Sequence, residues 1–212
     1  MNNKTILYLV RHGQTEWNVL HKMQGHQDSP LTDYGVEQAK WLGDSLRNES
    51  IDLIYSSSSL RARRTAEIIR GELEVNIIEC DEFREINLGV WEGKSQSEVR
   101  ELYPMEFDNF WNDPEKFDLI GSETFNDVFI RAREKLREII TAHKGKTILI
   151  VTHTVVVKLL MAYFDNRRLK NIWKPPFIHP ASLCKVVINE DDNSEIILNG
   201  DISHYKEIPT EG

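Results

Sequence analysis

Two apolar runs in this chain each end on a histidine at the same offset: Thr5 to Val10 (TILYLV) leads into Arg11-His12-Gly13, and Thr147 to Val151 (TILIV) leads into Thr152-His153-Thr154. Ligands of open α/β sheets bind outside the carboxyl ends of the strands, so histidines at equivalent strand ends can face one pocket. Arg61 falls in the first turn of an expected helix, where the macrodipole disfavours a cation unless an anion lies nearby. Arg64 lies about 60° from it on a helical wheel and stays undecided, whereas Arg63 points away and reads as a solvated residue. Two histidines with two arginines, Arg11 and Arg61, can surround a phosphate with forked, charge-assisted hydrogen bonds. Such a cage needs no metal. The close Asp/His clusters of metal phosphatases and a GxxxxGK nucleotide loop are both missing from the sequence.

The elements that must hold these residues alternate. Each apolar run is a strand buried on both faces. Thr32 or Asp33 caps a helix bearing Val36, Ala39, Leu42 and Leu46. A short strand follows at Asp52 to Tyr55, then a helix opened by Ser58 or Ser59 and running to Ile69, then a strand at Val75 to Ile78. This is the βαβ pattern. Lys94 to Trp111 reads as two helices, with Pro104 starting the second. Thr124 to Ala142 is a long amphipathic helix and Val155 to Phe164 a shorter one. Lys185 to Ile188 and Glu195 to Leu198 form an edge hairpin around Asp192-Asn193.

Composition narrows the function classes. With 212 residues, 40% hydrophobic and 28% charged, the chain suits one globular unit. A net charge of -8 argues against nucleic-acid or anionic-membrane partners, which are held by clustered Lys and Arg. Cys80 and Cys184 suggest neither a disulfide framework nor a zinc site, Met1 to Val10 lacks a signal-peptide pattern, and no stretch reaches membrane-spanning length. The expected location is cytoplasmic. No signal for an oligomeric state is present.

Arg11-His12-Gly13-Gln14-Thr15-Glu16-Trp17-Asn18 resembles the RHGxTxxN signature of the histidine phosphatase superfamily, in its phosphoglycerate mutase-like branch. The resemblance continues through Ser29-Pro30-Leu31-Thr32 with Gly35, Arg61-Ala62-Arg63-Arg64-Thr65-Ala66, Arg84-Glu85, Gly89-Val90-Trp91-Glu92-Gly93, Gly121-Ser122-Glu123-Thr124 and Val151-Thr152-His153, in family order. Met23-Gln24-Gly25 and Gly200-Asp201-Ile202-Ser203-His204 resemble in particular the bacterial broad-specificity phosphatases of the PhoE type.

Together with the βαβ pattern, the resemblance implies an α/β fold of three layers. Its mostly parallel sheet would carry helices on both faces, in a single domain over 1-212 with a small helical cap insertion at roughly 94-123. It implies that His12 attacks phosphorus and carries the phosphoryl group. Arg11, Arg61 and His153 would hold the equatorial oxygens, and Glu85 would protonate the leaving oxygen and then activate water. Asn18, Gln24, Gly25 and Thr154 take substrate-contact positions. The substrate would be a small phosphate monoester, with no cofactor and no metal. Thr154 and Ser59 stand where relatives usually have Gly and Leu. Among the other histidines, His26 and His179 are expected nearest the pocket, and Trp17, Trp91 and Trp173 are read as packing.

Two other readings share these residues. A phosphoglycerate mutase would return the phosphoryl group to a second substrate. It would need basic residues in the cap, where Ile86 to Glu123 carries Lys94, Arg100 and Lys116 against nine acidic residues. An inactive module that only binds phosphorylated ligands would have lost His12, Glu85 or an arginine, and all are present. The acidic cap and its aromatic residues Tyr103, Phe107, Phe110, Trp111 and Phe117 point to a phosphatase preferring monoesters with an apolar organic part.

Overall fold

The computed structural model describes residues 4–207. Strands β1 (Thr5–Arg11), β2 (Leu53–Ser57), β3 (Ile77–Cys80), β4 (Thr147–Thr152), β5 (Leu183–Ile188) and β6 (Ser194–Asp201) make one six-stranded sheet in the order β3-β2-β4-β1-β5-β6. The pairs β3·β2, β2·β4 and β4·β1 are parallel, and the β5·β6 hairpin closes the β1 side antiparallel. Between strands run helices α1 (Glu16–Val19), α2 (Asp33–Ser45), α3 (Leu60–Arg70), α4 (Gln96–Leu102), α5 (Pro104–Asn112), α6 (Phe125–Ala142) and α7 (Thr154–Asp165).

Side-chain alternation along β1 and β4 builds the layers. Tyr8, Val10, Leu149 and Val151 pack with Ala39 and Leu42 of α2 and Ala62, Ala66 and Ile69 of α3. Leu7, Leu9, Ile148 and Ile150 pack on the other face with Val128, Ala132 and Leu136 of α6 and Val156 and Leu160 of α7. Both strands are therefore apolar at every central position. The expected three layers, mostly parallel sheet and helices on both faces are all present.

Helix ends follow their capping chemistry. Thr32 accepts from Gly35 N to open α2, Thr124 and Asp127 form a capping box on α6, Ser95 and Glu98 another on α4, and Pro104 is the first residue of α5. Two strands lie further along than hydrophobicity suggests. β2 runs to Ser57 rather than ending at Tyr55, because Ser56 and Ser57, fully buried, pair with Glu79 and Cys80. That register carries β3 to Ile77–Cys80 instead of Val75 to Ile78. Polar residues extending a strand leave no apolar signature.

Between β3 and α6, residues 81–124 fold around Trp91, which is fully buried. Tyr103, Phe107, Phe110 and Phe117 surround its ring at centroid distances of 5.3 to 6.4 Å. Rings at these separations add attraction to their area burial.

Candidate active site

The β1–β4 register sets the two histidines side by side. Val10 pairs with Val151 and Arg11 with Thr152, so His12 and His153 leave the sheet together, with His12 N donating to Thr152 O at 2.9 Å. Their ring centroids are 5.2 Å apart and both side chains are buried. His12 Nδ1 lies 2.7 Å from Gly13 O. In the neutral ring this nitrogen must carry the proton to bond a carbonyl, which makes Nε2 the nitrogen with the lone pair. Burial, then the Arg61 and Arg11 charges, push the His12 pKa well below the usual histidine range. The ring is therefore neutral at physiological pH.

Arg61 approaches His12 directly, its Nε donating to His12 Nε2 at 3.3 Å. Its Nη1 donates to Gln27 O and Asp28 Oδ1, both at 2.7 Å, and its Nη2 to Gly25 O at 2.8 Å. Asp28 also accepts from Leu60 N at 2.8 Å and Arg61 N at 3.4 Å. The cap of α3 thus comes from a distant loop, since Ser59 itself makes no side-chain cap bond. One carboxylate thereby satisfies the helix start and neutralises a cation placed there.

The loop 24–28 is held by Glu92, which accepts from His26 N at 2.7 Å, Gln27 N at 3.2 Å and Leu88 N at 3.1 Å. Gly25 has φ +54°, and a Cβ there would lie 2.1 Å from Glu92 Oε1. Only glycine fits.

Arg11 donates from Nη1 to Ile178 O at 2.8 Å, while its Nε is buried without a partner among the described residues. Burial lowers its pKa to about 10, so it stays charged at neutral pH. His153 Nε2 lies 2.8 Å from Ser57 Oγ, and its Nδ1 is likewise buried and unpartnered. Desolvation, then the Arg61 charge and the His12 ring beside it, push the His153 pKa well below the usual histidine range. In the tautomer that accepts the Ser57 hydroxyl proton at Nε2, the His153 Nδ1 proton is free to bond an anion.

Glu85 is pinned by two amides, Ile86 N at 3.0 Å and Val155 N at 3.3 Å. Its chain segment hangs from Arg131, which donates to the carbonyls of Glu82, Arg84 and Glu85 and pairs with Glu123 at 2.7 Å. Burial raises the Glu85 pKa above the ordinary carboxyl value, against the opposing Ile86 amide and Arg61 charge. A carboxyl group that keeps its proton closer to neutrality can act as a general acid.

These groups share a cleft of about 140 Å³ at the carboxyl end of β1 and β4. Arg11, His12, Asn18, Gln24, Gly25, Arg61, Glu85 and Thr154 all line it, and His153 lies behind His12. Gln24 Nε2 donates to Thr15 Oγ1 at 2.8 Å, and Asn18 closes the capping box on α1. Thr154 opens α7 without positive φ, so no glycine is needed there. Among the described residues, no group of three or more His, Cys, Asp or Glu side chains is arranged to hold a metal ion.

Several expectations need correction. Neither His26 nor His179 lines the cleft: His26 turns toward Glu123, 3.7 Å away, and His179 stacks near Phe177. Arg63 is the solvated residue expected, and Arg64, left undecided by the sequence, joins it in pairing with Glu67 on the exposed face of α3. Phe110 and Trp111 reach the cleft, whereas Tyr103, Phe107 and Phe117 pack away from it, and Trp173 joins the wall instead of only packing. None of the nine acidic residues from 86 to 123 lines the cleft, but Lys22 does. The acidic cap therefore gives no charge argument at the cleft itself. Asp28, Lys22, Ser57, Gln96 and Trp173 carry no local signal, because each reaches the site from a separate part of the chain.

The family model described as "Histidine phosphatase superfamily (branch 1)" matches residues 7–200. YhfR of Bacillus stearothermophilus superposes with a TM-score of 0.92 at 44% identity, covering 94% of this chain and 98% of that one. Phosphoserine phosphatase 1 of Hydrogenobacter thermophilus is 34% identical over 79% of each chain. The uncharacterized phosphatase PhoE of Bacillus subtilis is 36% identical over 74% of this chain and 76% of its own.

Proposed function

The chain belongs to the histidine phosphatase superfamily and is a phosphoric monoester hydrolase, and from that premise we propose that His12 carries the phosphoryl group through a two-step hydrolysis of small phosphate monoesters. In the first step His12 Nε2 attacks phosphorus and forms a P–N bond. The P–O bond to the organic group breaks, and Glu85 gives its proton to the leaving oxygen. In the second, Glu85 takes a proton from water as the water oxygen attacks phosphorus. The P–N bond breaks, its electron pair returns to Nε2, and phosphate leaves. Arg11, Arg61 and the His153 Nδ1 proton stabilise the charge that spreads over the equatorial oxygens.

The observation that carries this reading is the His12 ring: neutral, tautomer-locked by Gly13 O, with Nε2 facing Arg61. Asn18, Gln24, Gly25 and Thr154 would contact the ester. The apolar lining from Phe110, Trp111, Trp173 and Val155 supports a substrate whose organic part is apolar or aromatic. We further read 1-212 as one domain capped by roughly 94-123 and acting in the cytoplasm. No helix among the described residues is long and apolar enough to cross a membrane.

Rapid acid quench with labelled substrate should trap label on the wild type and none on His12→Ala, which should fold but not turn over. Label on the variant refutes the role of His12. Exchange of phosphoglycerate isomers outrunning phosphate release would favour transfer over hydrolysis.

A further inference from the structure

α7 buries a cation for which the phosphate chemistry has no use. Lys158 lies one turn beyond Thr154, is only 5% exposed, and donates from Nζ to Lys174 O at 2.8 Å and Pro176 O at 2.7 Å. A buried ammonium persists only with such partners. The strap it holds, residues 173–178, joins two parts of the site. At one end the Trp173 ring lies 4.7 Å from Trp111, and its Nε1 donates to Phe110 O at 2.5 Å. At the other, Ile178 O accepts from Arg11 Nη1.

We propose that Lys158 is a positioning residue for phosphate ester hydrolysis, setting both the aromatic wall and the Arg11 guanidinium through the two strap carbonyls. This rests on the phosphatase reading. Arg167 also donates to the strap, at 3.3 Å to Lys174 O and 3.2 Å to Pro175 O, but it is bound to Asp165 at 2.9 Å on the surface side. Lys158 is the tether from within.

The tether is sensitive to pH. Desolvation, then the Arg167 charge, push the Lys158 ammonium down to about 8, while Cys184 and Asp165, the other ionisable groups facing it, act in the opposite sense. The neutral amine keeps N–H donors but loses the charge that strengthens them, so the strap loosens as pH rises through that value.

The test compares wild type, Lys158→Met and Lys158→Arg as full chains on p-nitrophenyl phosphate, whose leaving group needs no proton from Glu85. Lys158→Met should raise KM about tenfold with a smaller fall in kcat, because Pro176 O loses its side-chain donor and Lys174 O keeps only the longer bond from Arg167. Wild-type kcat/KM should fall as pH rises through about 8, and Lys158→Arg, which stays charged, should shift that fall upward by a full unit or more. An unchanged KM in the Met variant, or the same alkaline fall in the Arg variant, overturns the proposal. Tryptophan fluorescence needs no turnover. It should change near the same pH in the wild type and stay flat in Lys158→Arg, and a flat wild-type trace also overturns the proposal. If the Met variant fails to fold, the Arg variant and the fluorescence decide. A wild type inactive on the ester would refute the phosphatase reading alone, and the fluorescence would still decide the tether.

Discussion

Asp28 performs two tasks that substitution can separate. Its carboxylate caps α3 through Leu60 N and Arg61 N and pairs with the Arg61 guanidinium, whose side chain is 1% exposed. Asp28→Ala removes both, the cap alone being worth about 1 kcal/mol. Removing one partner of a fully buried ion pair costs about 3–5 kcal/mol. Asp28 is itself 25% exposed, and Gly25 O and Gln27 O still accept from Arg61. That reduces the pair contribution by about half, for a total of about 2–4 kcal/mol. Asp28→Asn keeps a capping oxygen and loses the charge, so about 1–2 kcal/mol is expected. Both variants let the guanidinium drift from His12, and kcat/KM should fall about tenfold to a hundredfold. Urea denaturation at pH 7 gives the stabilities and steady-state turnover the rest. Two variants equally stable would refute the capping role. Activity within twofold of wild type in both would refute the positioning of Arg61.

The remaining predictions concern Glu85, Gly25 and metal dependence. Glu85→Gln should cut turnover of alkyl phosphates far more than that of p-nitrophenyl phosphate, and equal losses would remove Glu85 from proton transfer. Its raised pKa means the fold favours the protonated form. That stabilisation is complete below the ordinary carboxyl pKa and is lost as pH rises through the raised one. Glu85→Gln should therefore gain about 0.5–2 kcal/mol at pH 8 and less at pH 4, read from melting curves, and a larger gain at the lower pH would contradict the buried carboxylate. Gly25→Ala drives a Cβ against a carboxylate held by three amides and should destabilise by about 1–3 kcal/mol while raising KM; normal melting and KM would show that the loop adapts. Turnover should survive EDTA, since the cage charge comes from Arg11 and Arg61, and a loss restored by zinc or magnesium would contradict this.

Local sequence determined the parts that depend on neighbours along the chain. The TILYLV and TILIV runs read as strands buried on both faces, and the histidines at equal offsets after them emerge together at the carboxyl end of the sheet once β1 and β4 pair in parallel. Caps such as Thr32 and Thr124 work within three residues of themselves. Glu85, Asn18, Gln24 and Gly25 sit in loops or a four-residue helix with no periodic signal, and only the resemblance of their blocks to the family picks them out. Tertiary structure decided what depends on distance through space. Asp28 meets α3 from a loop more than thirty residues away in sequence, at a |i−j| of 32 and 33. Trp173 and Lys22 enter the cleft from opposite ends of the chain, and none of the nine acidic residues of 86 to 123 lines it. Charge counted along a segment records composition, whereas a ligand responds to the few side chains whose positions are set by packing, and Coulomb attraction in water fades over about 10 Å.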